Sequence, residues 1–183
     1  GILHVGRVKG IMRPALIVPF PTMTGFCAVL DVGANSDTKA DNMQQFGIMG
    51  SIYAQHVLGI ENPGVRVLSN GEEVGKGSQL ILEAYKLLAQ TPGLNFQGNV
   101  ESIEVMEGLA DVVVADGFTG NVVLKTAESL SSAMIKILKA ELTANPLRKF
   151  GALLSQGAFR SLKRRLDPEV HGGAVLLGLN GNV

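Results

Sequence analysis

Apolar and polar positions alternate along this chain with two periods, and the alternation predicts strand followed by helix four times over. The stretch "FCAVLDV" (26–32) is apolar and rich in strand formers, then "GAN" breaks it, which predicts a buried strand. Residues 38–58 place Met43, Phe46, Met49, Ile52, Tyr53 and Val57 at helical spacing, with Asp41 early in the helix, where its charge suits the dipole. "VRVLSN" (65–70) predicts a second strand, and "GEEVGKG" leads from it to a helix near 78–90. A short third strand (94–99), a helical turn near 101–108 and the strand "DVVVA" (111–115) come next, followed by a long helix over about 120–143. "GGAVLLGLN" (172–180) predicts a last buried strand, and "GILHVGRVKG" at the start looks like the final turns of a helix. Strand and helix in repeated alternation predict a parallel sheet with helices on its faces.

Segment 145–165, "NPLRKFGALLSQGAFRSLKRR", breaks the alternation: it carries six cationic residues and no acid. Leu147, Phe150, Leu154, Ala158, Leu162 and Leu166 fall on one helical stripe, which Gly151 and Gly157 weaken. A solvated surface helix is one outcome. An interfacial helix, with Leu and Phe in the headgroup layer and Arg and Lys on anionic lipid, is the other, and the absence of acids favours it.

Composition narrows the class. With 183 residues, 46% of them apolar and only 17% charged, the chain is long enough for one real core and too apolar for disorder. A formal net charge of zero gives no reason to expect a nucleic-acid partner. No apolar run approaches the ~20 residues of a membrane span, and the first residues show no signal-peptide pattern. A single cysteine cannot form an internal disulfide, so the cytoplasm is the default compartment. Cys27 sits within an apolar strand and is expected to be inert. His4, His56 and His171 are far apart and have no metal spacing. His56 lies near a helix C-terminus, where a cation is favoured, and His171 precedes a buried strand that could bring it near a site. The chain lacks an initiator methionine and stops just after a strand, so it is expected to be part of one α/β domain truncated at both ends.

Three predicted strands end in glycine-rich polar turns: "DVGAN" (31–35), "SNGEEVGKG" (69–77) and "DGFTGN" (116–121). In an open parallel sheet the carboxyl ends of the strands share one edge, and ligands bind there. Glycine lets backbone N–H groups approach an anion, and the following helix points its positive end at the same spot. Any single βα loop also favours Gly, Asn and Asp for capping and turn geometry, so the case rests on three such loops together. Lys76, between glycines after a strand, is the candidate phosphate-pairing cation, though "GEEVGKGS" does not meet the P-loop spacing. Asp116 can begin the turn and Thr119 can cap the helix. Glu72 or Glu73 can reach a substrate.

"LDVGAN" (30–35), "GIMGSIYAQHVLGIENPGVRVLSNGEE" (47–73), "GNVE" (98–101), "ADVVVADGFTGNVVLKTAE" (110–128) and "GGAVLLGLN" (172–180) occur in that order. Together they resemble the bacterial phosphate acyltransferase family of phospholipid synthesis, enzymes that move a fatty acyl group from acyl carrier protein to inorganic phosphate. The resemblance covers nearly the whole chain, and "DGFTGN" followed by "LKT" is its most distinctive part. It implies a Rossmann-like three-layer α/β/α fold with a mainly parallel sheet and a protruding amphipathic helical hairpin, here matching 130–166. It also implies a homodimer working in the cytoplasm, peripheral at the inner membrane face. The family's amino-terminal half, with its own "AGNTGA"-type loops facing the same cleft, has no counterpart here. Neither has the segment beyond the last strand, and His171 stands where the family usually has tyrosine.

Carried onto these residues, the resemblance implies direct attack by phosphate, with no acyl-enzyme, no cofactor and no metal. Asn35, Lys76, Thr119 and Asn121 would line the phosphate and thioester site, with Asn70 and Glu72 beside them. Gly33, Gly71, Gly117 and Gly120 would allow close approach, and Asp31 and Asp116 would orient the loops. Arg148, Lys149, Phe150, Leu153, Leu154, Lys163 and Arg164 would meet the membrane or the acidic carrier protein. Two other functions fit the same architecture: a nucleotide- or hydroxyacid-dependent dehydrogenase, against which the missing G-x-G-x-x-G counts, and a non-catalytic membrane-surface module.

Overall fold

The structure is a computed structural model that describes residues 6–166 and 173–181. Among the described residues six strands form one sheet: β1 (Ala15–Pro21), β2 (Phe26–Leu30), β3 (Val65–Leu68), β4 (Phe96–Val100), β5 (Val112–Val114) and β6 (Val175–Leu177). Their order across the sheet is β4-β3-β5-β2-β1-β6. β2, β3, β4 and β5 pair in parallel, so their carboxyl ends share one edge. β1 is antiparallel to both β2 and β6, and is the one strand that runs against the rest.

β1 is absent from the strands expected above, and its prolines explain why. "ALIVPFP" carries Pro19 and Pro21, which argue against a strand inside a sheet. The backbone of Leu16 bonds toward β2: its oxygen accepts from the Val32 amide at 3.0 Å. Residues one step out of phase, Ile17, Pro19 and Pro21, therefore face the β6 side. Among the described residues β6 pairs with Ala15–Ile17, and no described strand asks either proline for an N–H.

Helices cover both faces. Met43, Phe46, Met49 and Tyr53 of α1 (Ala40–His56) pack with Ile81, Ala84 and Leu88 of α2 (Gln79–Ala89) on Ile17, Leu30, Val65, Val67, Val112 and Val114. On the other face α3 (Ser102–Glu107) and the start of α4 (Gly117–Leu142) cover Val18, Phe20, Cys27, Val29, Leu68, Val100 and Val113. The result is a three-layer α/β fold, as the alternating pattern predicts. Ile52 of α1 and Val57, the residue that ends it, were expected at the helical apolar spacing but are exposed. Gly50 holds α1 close to the sheet, where a Cβ would meet Val112 Cγ1 at 2.5 Å and Leu30 Cδ2 at 2.8 Å, and Gly47 makes room for Leu88 of α2, whose Cδ2 a Cβ would meet at 2.5 Å.

Two further expectations are corrected. Residues 6–10 are not helical; Arg7 forms an antiparallel bridge with Leu179, and Val8 N–H bonds to the Gly178 oxygen. The basic segment is not one helix but two, α5 (Pro146–Leu154) and α6 (Gln156–Leu166). The break is at Ser155, whose amide closes α5 on Gly151 and whose carbonyl receives the amides of Ala158 and Phe159. Asn145 caps α5 through its side chain, with Pro146 at the first helical position, where a missing N–H costs nothing.

The close seat of α1 makes a specific demand on size. Gly50→Val should lower unfolding free energy by about 1–3 kcal/mol through overpacking, read as a lower urea midpoint with an unchanged m-value.

Candidate functional site

The first loop of the carboxyl edge is organised by a carboxylate. Asp31, fully buried at the end of β2, accepts five N–H groups. Oδ1 takes the amides of Leu16 (2.9 Å), Gly33 (3.2 Å) and Ala34 (2.9 Å). Oδ2 takes the Asn35 backbone amide and its Nδ2, both at 2.8 Å. Asn35 Nδ2 also donates to the Pro14 oxygen at 2.7 Å, so both its amide hydrogens are committed inside the loop. Gly33 takes φ 130°, in the region that favours glycine.

The third loop sits flush on the first. Asp116 caps α4, its Oδ1 accepting from Phe118 N–H at 3.1 Å and Thr119 N–H at 3.0 Å. A Cβ at Gly117 would run into the Asn35 carbonyl oxygen, and one at Gly120 into the Asp31 carbonyl oxygen. The close approach these two glycines permit is therefore of helix to loop, not of backbone to an anion. Asn121, next in the chain, is exposed, and its side chain lies over Gly33: a Cβ there would meet Asn121 Oδ1 at 3.3 Å.

Between the ends of β3 and β5 a cleft of about 280 Å³ opens on this edge. Its floor is apolar, with Leu68, Ile81, Ala115 and Val123, and its polar lining is Ser69, Asn70, Ser78, Ser102, Asp116 and Thr119. The N-termini of α2 and α4 both open beside it, Ser78 capping α2 by accepting from Ile81 N–H at 3.4 Å. Helix starts of this kind favour negative charge.

Of the residues singled out from sequence, Asn70, Asp116 and Thr119 thus meet in one cleft. Gly33 and Asn121 form a second contact at the α4 start, not among the residues that line the cleft. Gly71 is buried under the Lys76 stem, where a Cβ would meet Lys76 Cγ at 2.8 Å. Lys76 and Glu72 are exposed on the 69–77 loop, neither forming an ion pair among the described residues. His171 lies outside the described residues. Ser69, Ser78 and Ser102 were missed. Ser78, in the N-cap position before the apolar periodicity of α2, carried the only available signal. Cys27 is fully buried and its thiol is pushed up to about 12 by desolvation, which leaves it protonated and unreactive. Among the described residues no group of His, Cys, Asp or Glu could hold a metal ion.

The basic helices are exposed. Leu147, Phe150, Leu153 and Leu154 of α5 are 60–81% accessible, and Arg148, Lys149 and Arg164 lie exposed alongside. Arg148 pairs with Glu141 of α4 at 2.6 Å. The Lys163 side chain is outside what is described. Among the described residues no helix is long and apolar enough to cross a membrane.

A sequence profile of the family described as "Fatty acid synthesis protein" matches residues 1–183. The chain is 48% identical over 180 residues to a phosphate acyltransferase of Elusimicrobium minutum (strain Pei191), covering 98% of this chain and 52% of that protein. It is 50% identical over 181 residues to a phosphate acyltransferase of Alkaliphilus oremlandii (strain OhILAs), covering 99% and 54%. It therefore spans about half the length of the curated relatives it matches. Among solved structures it resembles the EutD phosphotransacetylase from Staphylococcus aureus with a TM-score of 0.55, 18% identity, and coverage of 70% of this chain and 45% of that one. A phosphotransacetylase from Streptococcus pyogenes gives a TM-score of 0.54 with the same identity and coverage. At this identity the likeness is one of fold.

The Asp31 loop should fail when its acceptor is halved. Asp31→Asn keeps the shape but brings an NH2 group against N–H donors, and should cost about 2–4 kcal/mol, measured by chemical denaturation.

Proposed function

The chain belongs to the fatty acid synthesis protein family, and on that premise we propose that it carries part of an enzyme that transfers an acyl group to inorganic phosphate. The observation that supports this most is the cleft beside the starts of α2 and α4, with hydroxyls, an amide and the helix-capping Asp116 carboxylate around an apolar floor. An anion suits the polar rim and helix ends, and the first carbons of an acyl chain suit Leu68, Ile81 and Val123.

In the proposed reaction a phosphate oxygen attacks the carbonyl carbon of a thioester. A new P–O–C bond forms, the carbonyl electrons move to oxygen, and their return expels the sulfur. The products are acyl phosphate and a thiolate that takes a proton. Phosphate is already anionic, so the protein's task is to position it rather than to deprotonate it. Thr119 and Asn70 would hold phosphate oxygens, and Lys76, free of any ion pair among the described residues, would supply the cation. Asn121, exposed at the α4 start, would donate to the oxyanion. Glu72, exposed on the 69–77 loop, would contact the donor. The donor is proposed to be a long-chain acyl group on acyl carrier protein, and the product a precursor for phospholipid synthesis. No cofactor is required by this chemistry.

α5 supplies the proposed membrane contact: four exposed apolar side chains next to Arg148 and Lys149 suit an anionic lipid interface or the acidic carrier protein. The exposed face of α4, with Leu130, Met134 and Ile137, is the proposed contact of a homodimer. On this reading the protein works in the cytoplasm, peripheral to the inner membrane face.

With the longest natural chain that carries these residues, long-chain acyl carrier protein should lose its thioester only when phosphate is present, and hydroxylamine should trap the product. Asn121→Ala should lower turnover about 100-fold without moving the unfolding midpoint; an unchanged rate removes its role. Replacing both Phe150 and Leu154 by Asp should weaken sedimentation with anionic vesicles by about tenfold or more, and unaltered sedimentation would place the lipid contact elsewhere.

A further inference from the structure

Among the described residues three buried side-chain atoms lack any hydrogen-bond partner: Arg66 Nε, Ser69 Oγ and Asn99 Oδ1. Ser69 and Asn99 sit where β3 and β4 reach the carboxyl edge, and Arg66, earlier in β3, reaches Asn99 with its side chain. Val67 and Asn99 are register partners across the two strands, and Ser69 N–H bonds to the Val100 oxygen at 3.0 Å. Asn99 is the most enclosed of them, 2% exposed. Its carbonyl receives Arg66 Nη1 at 3.2 Å, and its side-chain Nδ2 donates to the Glu73 oxygen at 2.9 Å.

Burying an amide with one end unsatisfied costs free energy that an aliphatic residue of the same size would not incur. The side-chain contact that offsets it is the one to Glu73. The Glu73 carbonyl is also the acceptor for the Lys76 backbone amide, at 3.1 Å. Asn99 thus reaches from the edge strand into the 69–77 loop and holds the group on which the Lys76 amide turns. Gly77, next to Lys76, takes φ 106° and lines the cleft together with Ser78. The Lys76 stem is laid across Gly71.

We propose that Asn99 is a positioning residue: through the Glu73 carbonyl it fixes the loop that carries Lys76, and so sets where the lysine ammonium meets phosphate at the cleft rim. This deepens the acyl-transfer reading and rests on it. Asn99 touches no reacting atom and acts only through that loop.

The test uses the longest natural chain carrying these residues, with Asn99→Leu, which removes both the donor and the orphan oxygen, and Asn99→Ala in case the larger residue fails to fold. A positioning role raises the phosphate KM about tenfold, the factor for one lost hydrogen bond, and leaves the KM for the acyl donor unchanged. Placed on Lys76→Ala, the same substitution adds nothing further, because both act on one group. Amide exchange at Lys76 accelerates in the variant, with or without turnover. A folded variant with parental phosphate KM and parental Lys76 exchange overturns the proposal, as does a full additional loss on the Lys76→Ala background. A parental protein with no phosphate-dependent turnover overturns the acyl-transfer reading and the lysine's part in it. The exchange result separates that failure from an error about the loop.

Discussion

A carboxylate with no solvent and five N–H donors is the arrangement on which the rest of this edge depends. Asp31 ends β2, yet its side chain receives the amide of Leu16 in β1 and three amides of the loop that follows. One charged group thereby closes a ladder position between two strands and folds the loop back on itself. Charge-assisted bonds of this kind are stronger than neutral ones, which is how a loop with exposed glycine and alanine keeps one conformation. Its shape then presents two carbonyl oxygens, of Asp31 and Asn35, as a flat seat. Gly117 and Gly120 bring α4 down onto that seat, and the helix start can lie beside the cleft only because it does.

Much of this was legible from residue pattern. "DVVVADGFTGN" reads as strand, turn and helix because the period changes from buried run to helical spacing at a capping residue, and Asp116 does cap α4. The rule that ligands meet the carboxyl ends of parallel strands brought Asn70, Asp116 and Thr119 to one cleft. What the pattern could not convey is what a glycine approaches. Gly117 and Gly120 look identical whether the near neighbour is a bound anion or another stretch of backbone. Asn35 was expected in the cleft for its amide, but an amide shows no preference between a ligand and a neighbouring carboxylate until the fold is known.

β1 was hidden for a different reason. Proline is a sound argument against an interior strand only when both edges are paired throughout, and among the described residues β6 pairs with β1 over Ala15–Ile17, short of both prolines. Asn99 was equally out of reach, since a polar residue inside a short strand gives no hint that its side chain serves a loop in another segment. The serines of the cleft are too ordinary a residue type to stand out individually. Their significance comes from three separate segments converging at one place.

The seat of α4 also has a mechanical side. The helix has 26 residues, about 39 Å at 1.5 Å per residue. It is anchored over Gly117–Ala127, where Gly117 and Gly120 are buried and Val123, Leu124 and Ala127 pack partly buried on the core. A rod held this way is a lever whose free arm is the stretch beyond Ala127. Over the roughly 22 Å of that free arm a rotation of about 5° carries the far end through about 2 Å, while Thr119 hardly moves. Load applied to the outer turns, from a surface or from a second molecule, is conversely returned to the anchor as torque. The two backbone oxygens beneath it are the fulcrum.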